Sequence, residues 1–113
     1  MHEASIVAGL IDAVTRATAG FEGVSVKTIE ITVGRLRAVE PALLVGCFEL
    51  FRETTPFADA ELICREAPVA VVCESCGAHE ELHDLDLRCS ACSSRTLTVV
   101  GGRELRIEKI LVG

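Results

Sequence analysis

The chain has 113 residues, half of them apolar and a quarter charged, with four Phe and neither Trp nor Tyr. This bounds it to a small folded body with an aliphatic core and excludes a disordered chain. Its net charge of −6 repels phosphate backbones and anionic lipid, so no nucleic-acid partner is expected.

The stretch after Met1 has no basic run before it, and Asp12 and Arg16 interrupt its apolar positions. Neither an export signal nor membrane insertion is expected, and the expected compartment is the cytoplasm. Over residues 4–18, Ile6, Val7, Leu10, Ile11, Val14 and Ala17 recur at helical spacing and predict an amphipathic helix that stops before Gly20. From Val24 to Val33 the period changes to two, with Ile29, Ile31 and Val33 opposite Thr28, Glu30 and Thr32, and Gly34 ends this strand. Pro41 suits the first turn of a second helix whose apolar face is Leu44, Cys47, Phe48 and Phe51, stopped by Thr54-Thr55-Pro56.

Residues 59–66 alternate again, with Ala60, Leu62 and Cys64 on one side. Val69–Val72 and Thr96–Val100 are β-prone arms on either side of a cysteine-rich segment, and after Gly101-Gly102 a last strand occupies residues 103–112. The order implies an α+β fold, two helices packed on a sheet of about three strands with a zinc-ribbon-like module inserted. The last strand is expected to return to the first lobe. The expected lobes are then 1–70 with 101–113, and 71–100.

Cys73-x2-Cys76 and Cys89-x2-Cys92 are separated by twelve residues. Two such knuckles can close a tetrahedral thiolate shell around Zn²⁺, which leaves no open position for substrate and reads as structural. A dithiol redox protein would need only one such pair at a strand-to-helix junction. A nucleic-acid-binding ribbon would need cations between the knuckles, where Glu80, Glu81, Asp84 and Asp86 face only Arg88. His79 and His83, four apart in that loop, read either as exchangeable ligands or as solvated histidines. Cys47 and Cys64, on apolar faces, are expected as core thiols.

The chain opens Met1-His2-Glu3. A free α-amine, the backbone nitrogen and imidazole of His2, and a nitrogen or carboxylate of Glu3 can chelate Ni²⁺ or Cu²⁺ in a planar array; the alternative is an ordinary terminus. No nucleophile elbow, phosphate-cradling loop or open metal site with a paired base is visible, so no enzymatic activity is expected.

The opening MHEASIVAGLIDAV, the segment IEITVGRLRAVEPALLVGCFE, the double CxxC and the closing GGRELRIEKILV resemble the HypA/HybF family of hydrogenase-maturation nickel chaperones over nearly the whole chain. The resemblance implies a nickel site at Met1, His2 and Glu3, and zinc ligands at Cys73, Cys76, Cys89 and Cys92. It also implies two partners, a HypB-type nickel GTPase and the precursor of the [NiFe] hydrogenase large subunit. Ser93-Ser94 stands where many relatives carry Pro or Gly, and is expected to loosen the zinc lobe without removing a ligand. The competing readings are a zinc-ribbon interaction or regulatory module and a CxxC thiol-disulfide protein.

Overall fold

The computed structural model describes every residue except Met1, Glu22, Asp84 and Leu85, with His2 described by its backbone alone. Helix α1 (His2–Thr18) buries Val7, Leu10 and Val14 as the helical stripe requires. Asp12 and Arg16 pair at 2.9 Å on its exposed face, an i,i+4 contact worth a few tenths of a kcal/mol. Strand β1 (Val26–Gly34) buries Ile29, Ile31 and Val33 and leaves Thr28, Glu30 and Thr32 half-buried, so its period-two pattern is kept. A single 3-10 turn, Arg35–Arg37, follows.

Helix α2 (Pro41–Phe51) begins on its proline and packs against α1, with Leu44 and Phe48 fully buried. Its other apolar residues are not covered: Cys47 is half-buried and Phe51 is 39% exposed. The helix carries more apolar side chains than α1 and its neighbours can bury, so the expectation of a core thiol at Cys47 is corrected to a boundary position. Cys64 is likewise half-buried.

Strand β2 (Glu61–Ala67) is followed by β3 (Val69–Cys73), β4 (His79–Leu82), β5 (Leu97–Gly101) and β6 (Leu105–Val112). They form two three-stranded sheets, β2-β1-β6 and β4-β3-β5. The last strand thus returns to lie beside the first. Ser25 and Gly113 close that pairing by exchanging both backbone bonds, at 3.2 and 2.9 Å. On the same sheet Glu30 takes Arg65 of β2 at 3.2 Å and Lys109 of β6 at 3.7 Å, so one carboxylate serves a cation on each flank.

The chain divides into two compact units, one of Met1–Thr32, Val39–Arg65 and Arg106–Gly113 and the other of Val33–Ala38 and Glu66–Leu105. In the second, β3 pairs antiparallel with β4 (Val69 opposite Leu82, Val71 opposite Glu80) and with β5 (Val72 opposite Thr98), with a bulge at Ala70/Val71. Its core is small: Val69, Val71 and Leu82, with Leu97 and Val99 packed against them. Residues 33–38 are tied to it by backbone bonds from Gly34 to Glu104 (2.6 Å) and Leu36 to Gly102 (2.8 Å). The Arg35 guanidinium also donates to the His83 carbonyl. Gly34 is required there for space, since a Cβ would overlap the Gly102 carbonyl. No helix among the described residues is long and apolar enough to cross a membrane.

Candidate metal centre

Cys73 ends β3, Cys76 lies just beyond it, and Cys89 and Cys92 form a second turn between β4 and β5. The two turns are built alike. In the first, Gly77 N donates to the Cys73 carbonyl at 2.8 Å and Cys73 N to the Ala78 carbonyl at 2.9 Å. In the second, Ser93 N donates to the Cys89 carbonyl at 2.8 Å and Cys89 N to the Ser94 carbonyl at 2.9 Å. Each turn buries its first cysteine and exposes its second.

The two turns bring all four Sγ atoms within 4.8 Å of one another. Cys73 and Cys92 approach to 3.6 Å and Cys76 and Cys89 to 3.7 Å. A tetrahedron with sulfur about 2.3 Å from its centre has edges of about 3.8 Å, so the spacing is that of thiolates around one ion. It is far too long for a disulfide, and none of the six cysteines is disulfide-bonded. Among the described residues this is the one convergence of three or more His, Cys, Asp or Glu donors.

Backbone donors prepare the sulfurs for charge. The N–H of Cys76, helped by that of Ser75 and by the Cys92 and Cys76 thiols, lowers the Cys73 thiol to about 6 against the cost of burial. For Cys92 the Ser94 N–H also favours the thiolate, but the Cys73 thiol, burial and the Cys76 and Cys89 thiols outweigh it and push Cys92 up to about 12. Cys76 shows the same balance: the Ala78 N–H favours its thiolate, the Cys89 thiol opposes it, and the net shift is upward. One sulfur therefore ionises readily while mutual repulsion holds others back. A divalent cation at the centre removes that repulsion, so the donor set fits a metal.

Hydroxyl and carboxylate groups brace the two turns. Ser75 Oγ meets Ser94 Oγ at 3.0 Å, Thr98 Oγ1 donates to Glu74 at 2.7 Å, and Glu80 accepts from the Ser90 N–H at 2.9 Å and the Ser90 hydroxyl at 2.6 Å. Their bracing role gave no signal in the sequence, where Glu80 read only as one of several loop charges and Ser94 only as a departure from the family pattern, because serine and glutamate in a loop do not reveal their partners. His79 opens β4 on an exposed face and His83 is exposed; neither belongs to the thiol cluster.

Of the N-terminal triplet, Met1 and the side chain of His2 lie outside the described residues. The backbone of His2 opens α1, and Glu3 sits half-buried in its first turn.

The family model described as "HypA: Hydrogenase/urease nickel incorporation, metallochaperone, hypA" matches residues 1–112. The chain belongs to the HypA family. It is 36% identical to a hydrogenase maturation factor HypA of Desulfosudis oleivorans, covering 97% of this chain and 96% of that one. A second, from Chlorobaculum parvum, is 36% identical over 99% of both chains. Among solved structures, the solution structure of the Ni metallochaperone HypA from Helicobacter pylori is similar with a TM-score of 0.68 at 26% identity, covering 97% of this chain and 96% of that one. Another solution structure, of a HypA protein, gives a TM-score of 0.70 at 27% identity over 97% and 94%. HypA is a family of nickel-incorporating metallochaperones rather than enzymes, and hydrogenase maturation is the context in which its members work.

Proposed function

We infer that this HypA chain takes up Ni²⁺ at its N-terminus and delivers it to the precursor of a [NiFe] hydrogenase large subunit, in the cytoplasm, with a HypB-type GTPase as its nickel-handling partner. The observation that carries this reading is the family match, which begins at residue 1 and runs to 112. The family description names urease beside hydrogenase; the names of the similar curated proteins favour hydrogenase as the client.

The proposed cargo site is the Met1 amine, the backbone nitrogen and imidazole of His2, and Glu3. Helix geometry supports it. Because α1 starts at His2, the first-turn N–H groups have no carbonyl four residues back, and an amide nitrogen can be given to a metal without breaking a helical hydrogen bond. The positive end of the helix dipole opposes a cation there, while deprotonated amide and the Glu3 carboxylate offset it. Such a site holds nickel less tightly than a closed thiolate cage holds zinc, as transfer requires.

In this reading Cys73, Cys76, Cys89 and Cys92 hold a resident Zn²⁺ whose chemistry is structural. The lobe 71–100 is fixed by it, and 1–70 with 101–113 carries the cargo site. The test is nickel titration of the untagged chain beside His2→Ala and beside a chain extended by a few residues before Met1. Both changes are expected to abolish stoichiometric binding, with zinc content unchanged. Undiminished binding by the extended chain would overturn the N-terminal assignment.

A further inference from the structure

Ser94, one of the two serines that stand where many relatives carry Pro or Gly, engages both cysteine turns. Its N–H donates to the Cys92 sulfur, and its carbonyl accepts the Cys89 N–H at 2.9 Å. Its hydroxyl meets Ser75 Oγ at 3.0 Å and accepts the Thr96 N–H at 3.1 Å. Ser75 lies between the two cysteines of the first turn, and its own N–H donates to the Cys73 sulfur. A chain of bonds therefore runs from Cys73 through Ser75 and Ser94 to Cys89 and Cys92 without crossing the space between the sulfurs. Glu74 adds a parallel tie to the same segment, since its N–H donates to the Thr96 carbonyl at 2.9 Å and its carboxylate accepts from Thr98. Neither Gly nor Pro at position 94 could supply the hydroxyl in this chain of bonds.

We propose that the Ser94 hydroxyl is a positioning group for the metal cage: by fixing the two cysteine turns to each other it slows the loss of zinc and keeps the nickel cargo out of the four thiolates. The inference rests on the reading of these cysteines as the resident zinc site.

A protein that carries Ni²⁺ beside four thiolates needs a reason for the ion not to settle there. Raw affinity does not separate the two metals, so geometry must: four thiolates suit Zn²⁺ when crossed as a tetrahedron, whereas Ni²⁺ favours a planar array. Within each turn the backbone bonds from residues 77 and 93 to the first cysteine's carbonyl fix the relation of its two sulfurs. Flattening the cage therefore requires one turn to rotate against the other, and the Ser75–Ser94 bond lies across that rotation. Release of zinc requires a related movement, the two turns drawing apart. Ser94 is half-buried, which strengthens its hydroxyl bond relative to one fully in water.

The test follows zinc release from the full chain to a chromogenic chelator, and separately its exposure to excess Ni²⁺, for Ser94→Ala, Ser75→Ala, the double variant and Ser94→Thr beside the parent. Ser94→Ala keeps the backbone bonds to Cys89 and Cys92 and loses only the hydroxyl. All five proteins are expected to purify with a single zinc. Ser94→Ala and Ser75→Ala should each release it about fivefold faster, the factor carried by one ordinary hydrogen bond. The double variant should be no faster than Ser94→Ala, because the shared bond is already gone, and Ser94→Thr should keep the parent's rate. Under Ni²⁺, Ser94→Ala should develop nickel–thiolate charge-transfer absorption, which nickel on the nitrogen and oxygen donors of the N-terminus does not produce; the parent should not. Parent-like release from both alanine variants overturns the proposal, as do effects that multiply in the double variant. Nickel–thiolate absorption as strong in the parent as in Ser94→Ala overturns the role in excluding nickel. A parent that purifies without zinc overturns the zinc reading first, and the proposal with it.

Discussion

Gly77 and Ser93 occupy the same position in the two cysteine turns: each follows the second cysteine, each has a positive φ (76° and 64°), and each donates its N–H to the first cysteine's carbonyl at 2.8 Å. Glycine holds this left-handed conformation freely, whereas a side chain there costs about 1–2 kcal/mol. The second turn is therefore the strained copy of the first, which gives a physical reason for the loosening expected from Ser93-Ser94.

Ser93→Gly is accordingly expected to stabilise the zinc-loaded protein by about 0.5 kcal/mol, the relief of strain being partly offset by added freedom in the unfolded chain. Gly77→Ala should cost about 1 kcal/mol by creating the same strain in the first turn. Urea unfolding of both variants beside the parent gives the two signs. Equal effects at both positions would mean that the turns are not equivalent in the way their bonds indicate.

Removing one ligand from a closed thiolate shell should release the metal, whereas removing a thiol elsewhere should not. Cys73→Ser and Cys92→Ser are expected to lose most of their zinc, measured by elemental analysis of the purified chain. Cys47→Ser and Cys64→Ser should keep a single zinc, with at most a small loss of stability for half-buried side chains. Zinc loss from Cys47→Ser or Cys64→Ser would show that the converging sulfurs are not the whole ligand set.

The two helices and the first strand were legible in the sequence because their apolar residues keep one period over many positions, as Val7, Leu10 and Val14 do in α1, whereas the last strand, irregular after Ile107, was placed by its position after Gly101-Gly102. The cysteine pairing was legible because few other chemistries use two such turns. Strand β4 was not: His79-Glu80-Glu81-Leu82 has one apolar residue, and it is a strand because Val69–Val72 pair with it. The exposure of Leu43 and Leu50 was equally hidden, since an apolar residue's burial depends on whether a neighbour exists to cover it. Gly34 read as a strand terminator, and only its approach to Gly102 shows why no side chain fits.

Glu80 links β4 to the second cysteine turn through Ser90, whose hydroxyl and N–H hold the carboxyl below its ordinary 4.5. Because the folded value is the lower one, the bond contributes stability above the ordinary value, and that contribution is lost as pH falls through the folded value. Ser90→Ala removes the hydroxyl that contributes most to this and should raise the Glu80 titration midpoint toward 4.5. Carboxyl-detected NMR of zinc-loaded protein follows this directly. A midpoint unmoved by the substitution would show that Ser90 does not hold Glu80 in solution.

Zinc removal should act on one unit of the chain and spare the other. Among the described residues, the unit that contains the cysteines has a small core cluster, Val69, Val71 and Leu82 with Leu97 and Val99 against it, too little apolar burial to offset the ordering of its residues. The first unit has its own core, built from Val7, Val14, Ile29, Ile31, Leu44 and Phe48, all nearly fully buried. A chelator strong enough to strip the metal is thus expected to abolish amide-exchange protection in Val69–Cys73 and Leu97–Gly101 while the circular-dichroism signal of α1 and α2 persists. The stripped chain should still bind nickel, because the proposed cargo ligands belong to the first unit. Collapse of the helix signal in step with zinc loss would show instead that both units fold as one, and nickel binding that disappears with zinc would place the cargo at the cysteines.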